Sequence, residues 1–112
     1  MQIEDKIIND ILVVTPLDKR LDASSAVDFK GKMVDWINRG HRRIVLDLSL
    51  VDFVDSSGLG TIVSCLKTLG EGGDLVISGI KDAVLSLFQL TRMNRVFQIF
   101  PTPDAAIKGL TG

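Results

Sequence analysis

The sequence predicts an α/β domain with a mixed, mostly parallel sheet, in the order ββαβαβαβα. Three observations carry this. Short apolar runs such as Arg43-Ile44-Val45-Leu46-Asp47-Leu48 alternate with segments whose apolar residues recur at helical spacing. From residue 16 onward strands and helices take turns, which implies right-handed crossovers and parallel neighbours. The two opening runs are separated only by Asn9-Asp10, which suits a tight antiparallel hairpin.

Gln2 to Asn9 and Ile11 to Thr15 read as the hairpin strands, because Asn and Asp tolerate the positive φ of its turn. Pro16 ends the second strand or holds its edge. Asp22 is a good N-cap for a helix from about Ala23 to Arg39, and Gly40 suits its C-terminal cap. Ala26, Phe29, Met33, Trp36 and Ile37 share one face of that helix. Arg42 to Leu48 follows as a central strand buried on both faces. A second helix runs from Ser56 or Ser57 to Leu69, capped by Gly70. Asp74 to Ser78 is a strand and Asp82 to Leu90 a helix with Val84, Leu85 and Phe88 inward and Leu87 a further candidate for that face. Phe97 to Phe100 is a last strand. Thr102 then caps a terminal helix with Pro103 at its first position. Periodicity does not say whether helices cover one face of the sheet or both.

The most informative stretch is Val51-Asp52-Phe53-Val54-Asp55-Ser56-Ser57-Gly58-Leu59-Gly60. It places two hydroxyls where a strand gives way to a helix. Free backbone N–H groups and the dipole favour negative charge there, so an added phosphate would find donors waiting. The bland reading is N-capping alone. Leu59, one turn into the helix, belongs either to a partner surface or to the core.

Composition narrows the rest. The chain has 112 residues, enough for one domain, and is 46% hydrophobic, which argues against disorder. A net charge of −1 with signs interspersed leaves no nucleic-acid footprint. Arg39-Gly40-His41-Arg42-Arg43 reads as a solvated turn. No apolar run reaches the ~20 residues of a membrane span, and the N-terminus lacks signal-peptide order, which suits the cytoplasm. Cys65 is the single cysteine and reads as a packing residue. One His and scattered carboxylates give no metal cluster. A nucleophile elbow needs Gly two residues before the serine, and Val54 stands there; the single histidine, His41, sits at the far end of the central strand. Gly70-Glu71-Gly72-Gly73 follows a helix and precedes a strand, the reverse of a phosphate-binding loop. No catalytic residue, cofactor or metal is expected.

Asp55-Ser56-Ser57-Gly58-Leu59-Gly60 resembles the phosphorylation motif of the anti-sigma factor antagonists, bacterial members of the STAS domain family. Arg20-Leu21-Asp22 resembles the family's Leu-Asp signature. Val45-Leu46-Asp47-Leu48 and Gly72-Gly73-Asp74-Leu75-Val76-Ile77 resemble successive strands, and Val96-Phe97-Gln98-Ile99-Phe100 its ending. The resemblance implies helices mainly on one face of the sheet. It implies phosphorylation of Ser56, with Ser57 the cap or a backbone support. Asp22, Asp55, Ser57, Gly58 and Leu59 would support that site and the partner surface. The implied partners are an anti-sigma factor with serine kinase activity, an ATPase related to histidine kinases, and a PP2C-type phosphatase. Binding would free a sigma factor, and phosphorylation would end it. A partner switch with another output, or an interaction subunit of a membrane transport complex, are the alternatives. Two departures stand out: Lys19 replaces a glycine often found before the Leu-Asp signature, and Thr91-Arg92-Met93 lacks a glycine common after the third helix.

Overall fold

The computed structural model describes residues 1–111. β1 (Ile3–Ile8) and β2 (Ile11–Pro16) form the expected hairpin, antiparallel from Ile3↔Pro16 to Ile8↔Ile11. Its turn residues take φ of 53° at Asn9 and 64° at Asp10, the doubly positive geometry that matches the strand twist. Pro16 is the last residue of β2, one beyond the expected end. β4 (Arg43–Asp47), β6 (Asp74–Ser78) and β7 (Ile99–Phe100) complete a sheet ordered β1-β2-β4-β6-β7, parallel after the hairpin.

The helices are α1 (Ala23–Asn38), α2 (Ser56–Leu69), α3 (Asp82–Leu90) and α4 (Pro103–Thr111). β2 and β4 are buried on both faces and split their side chains between two cores. Leu12, Val14, Ile44 and Leu46 pack with Phe29, Met33, Ile62 and Phe88 of α1, α2 and α3. Ile11, Val13, Val45 and Val76 pack under Ala106 and Ile107 of α4. Three helices therefore share one face and α4 covers the other. Cys65 is a buried packing residue, and desolvation pushes its thiol up to about 11.

Two very short strands were not expected. β3 (Arg20–Leu21) and β5 (Phe53–Val54) pair in parallel as a separate ladder. Two residues are too few to show a period. Lys19 anchors this ladder: its carbonyl accepts the N–H groups of Asp52 (2.7 Å) and Phe53 (3.2 Å). Its φ is not positive, so glycine is not required there.

The last strand begins at Ile99, two residues later than expected. Met93–Arg95 form a single 3₁₀ turn, and Phe97 leaves the strand line to bury its ring edge-on against Phe88, centroids 6.1 Å apart. Arg92 enters that turn with φ 60°, the conformation glycine adopts freely. A left-handed non-glycine residue costs about 1–2 kcal/mol, of which glycine's extra unfolded-state freedom would return ~0.5–1 kcal/mol. Arg92→Gly is therefore expected to stabilise the fold by a fraction of about 1 kcal/mol, and Arg92→Val to destabilise it by more, as read from urea midpoints.

Candidate functional site

The small β3–β5 ladder brings the starts of α1 and α2 together. Leu21 pairs with Val54, so Asp22 and Asp55 leave the ladder side by side, each as the N-cap of the helix that follows. The Asp55 N–H donates to the Leu21 carbonyl at 3.3 Å.

Asp55 does two jobs at once. One carboxylate oxygen accepts the Gly58 N–H of its own helix at 2.9 Å; the other accepts the Ala23 N–H of α1 at 3.2 Å. Sequence reasoning favoured Ser57 as cap. The structure corrects this: the Asp55 side chain already reaches the N–H three positions on, and Ser57 lies inside the helix and is exposed. Gly58 is where α2 touches β3. A Cβ there would lie 2.1 Å from the Leu21 carbonyl oxygen, so only glycine fits.

Asp22 caps α1 through a capping box. Its carboxylate accepts the Ser24 N–H (3.1 Å) and hydroxyl (2.6 Å), while the Ser25 hydroxyl accepts the Asp22 N–H (3.0 Å). Its other oxygen accepts the Arg20 Nε–H at 3.1 Å. The Ser24 hydroxyl first, and Arg20 next, hold the Asp22 carboxyl below its ordinary 3.8.

Ser56 is the first residue of α2 and is exposed. Among the described residues its hydroxyl has no hydrogen-bond partner, and neither do the backbone N–H groups of Ser56 and Ser57. These are the orphan donors of a helix start, free to meet an anion. Leu59 is only 7% exposed, which assigns it to the core; it shapes the surface from beneath.

Four participants escaped sequence reasoning. Phe53, in the short strand that leads into the serine turn, is 42% exposed, and Leu50, in the turn after β4, is 45% exposed. The Arg20 guanidinium stacks 4.2 Å from the Phe53 ring centroid. Lys81 pairs with Asp52 and lowers its carboxyl pKa. Alternation along Asp52-Phe53-Val54 was the available signal for Phe53, since Val54 points inward. His41 lies in a cleft with Arg42 and Arg43 at the start of β4, the end away from Ser56.

Asp55→Ala should cost more than the ~1 kcal/mol of an ordinary cap, about 2 kcal/mol, because N–H groups on both helices lose their acceptor; urea unfolding reads this directly. Because the folded pKa of Asp22 lies below its unfolded one, its ionised form favours folding. That contribution is complete above the ordinary 3.8 and disappears as pH falls through the lower folded value. Asp22→Asn is expected to flatten the acid limb of the stability–pH curve in that window.

The STAS domain model matches residues 2–106 of the chain. An anti-sigma factor antagonist of Thermotoga maritima is 32% identical over 105 residues, covering 92% of this chain and 92% of that one. The crystal structure of a Thermotoga maritima anti-sigma factor antagonist superposes with a TM-score of 0.91 at 29% identity, over 98% of this chain and 95% of the other. The Bacillus cell fate determinant SpoIIAA, solved in a phosphorylated form, shares the fold at a TM-score of 0.74 and 18% identity, over 97% and 99% of the two chains. This chain belongs to the STAS domain family, with the anti-sigma factor antagonists as its relatives.

Proposed function

We propose that this protein is the phosphorylatable member of a partner switch. In its unmodified form it binds an anti-sigma factor that is also a serine kinase, and so releases a sigma factor. The kinase transfers phosphate from ATP to Ser56 and thereby expels it. A PP2C-type phosphatase restores the serine. The protein is a substrate in this cycle and supplies no catalytic group.

The observation that carries this reading is the Ser56 hydroxyl: exposed, unbonded, and set on a helix start that other groups hold. Phosphate there adds about −1.5 to −2 charges. The free N–H groups and the helix dipole accommodate them, so the fold stays intact. A partner packed on Leu50 and Phe53 meets a bulky dianion instead of a small hydroxyl, and must desolvate it to stay bound. That SpoIIAA has a phosphorylated form supports the chemistry.

With a purified ATPase-type kinase partner, Ser56→Ala should bind as tightly as the unmodified protein and resist release by ATP. Ser56→Asp should bind about a hundredfold more weakly, with an unchanged circular dichroism spectrum. Equal binding by the two variants would sink the switch.

A further inference from the structure

β1 is a free edge of the sheet. Among the described residues it pairs only with β2, and Glu4, Asp5, Lys6 and Ile7 along it are exposed. The Leu17 N–H donates to the Gln2 carbonyl at 2.9 Å, which sets the alternation along the hairpin. The backbone groups of Gln2, Glu4, Lys6 and Ile8 face β2, and those of Ile3, Asp5 and Ile7 face outward. No other element among the described residues bonds to these three outward residues.

The side chains of β1 divide between the two faces of the sheet. Glu4 and Lys6 stand opposite Thr15 and Val13, on the face that α4 covers. Ile3, Asp5 and Ile7 stand opposite Pro16, Val14 and Leu12, on the face of α1, α2 and α3. Glu4, Asp5 and Lys6 are in no ion pair among the described residues. Ile7 is 61% exposed, more than an isoleucine gains from on a finished surface.

We propose that β1 is the surface through which two copies of this chain associate, edge to edge and antiparallel, about a two-fold axis at Asp5. In an antiparallel pair, outward residues must meet outward residues, so the register moves in steps of two. An axis at Glu4 sets glutamate against glutamate, and an axis at Lys6 sets lysine against lysine; neither forms an ion pair. An axis at Asp5 places Glu4 of each copy opposite Lys6 of the other, and Ile3 opposite Ile7, on both sides of the centre. The one like pair, Asp5 with its own copy at the axis, keeps the association weak. Charges of a single sign on an edge strand keep other strands away. These are complementary to themselves, and that commits the edge to a second copy. The pairing is isologous and closes as a dimer. No residue of β1 belongs to the serine turn, so the dimer stands apart from the switch.

The test is sedimentation equilibrium of the full chain from about 10 μM to about 1 mM, with amide hydrogen exchange followed over the same range. A monomer–dimer equilibrium is expected. Glu4→Lys and Lys6→Glu should each weaken self-association about tenfold, and mixing the two variants should restore it, because the mixed pair regains both ion pairs. Asp5→Asn should tighten the dimer about threefold by removing the like pair. The Ile3, Asp5 and Ile7 amides should gain protection as concentration rises, while those of Glu4 and Lys6, already bonded to β2, should not. A chain that stays monomeric at about 1 mM overturns the proposal. So does a dimer in which the three outward amides gain no protection, or one that is indifferent to both single variants.

Discussion

One carboxylate, that of Asp55, lies between two helix starts, and the geometry of the serine turn depends on it. The N-termini of α1 and α2 each carry partial positive charge, and bringing them together is unfavourable by itself. Asp55 accepts one N–H from each and offsets that repulsion. Gly58 permits the approach, because any side chain there would strike the Leu21 carbonyl. The two-residue ladder of β3 and β5 sets the register in which these parts meet.

On the proposed switch, the same region would make added charge at Ser56 act outward. Two of its cations are already engaged: Arg20 with Asp22 and the face of Phe53, Lys81 with Asp52; Lys19, exposed beside Asp52, is in no ion pair among the described residues. A phosphate on Ser56 would meet the backbone N–H groups and the dipole of its own helix start. It would be accommodated without being neutralised, and most of its charge would remain displayed to whatever approaches Phe53 and Leu50. A partner would sense the charge itself, with no rearrangement of the fold needed.

Much of this was legible in the sequence, and the misses have physical reasons. The five-stranded sheet, the helices and the tight turn were readable because hydrophobic period and turn chemistry agree over several residues. Asp22 was readable as a cap because its role is local. β3 and β5 were not, since two residues carry no period and their pairing spans more than thirty positions. Ser57 was read as the cap or a backbone support because a serine beside glycine suits that role; Asp55, one position outside the helix, takes the cap by accepting the Gly58 N–H three positions on. The late start of β7 came from the burial of Phe97 against Phe88, another long-range preference overriding a local pattern. The choice of Ser56 over Ser57 as the hydroxyl to be modified rests on the family resemblance, since no spacing separates the two.

The separation between what builds the turn and what the turn displays has an evolutionary consequence. Backbone groups, Asp22, Asp55 and Gly58 carry the architecture, while among the described residues the Ser56 side chain has no hydrogen-bond partner. Position 56 is thus released from folding constraints. A lineage could exchange serine for threonine, or fix an acidic residue in a permanently uncoupled state, without first acquiring compensating changes in the core. On the switch proposed above, selection at that site would act on signalling alone, so its residue identity would record how a pathway is wired and say little about how the domain folds.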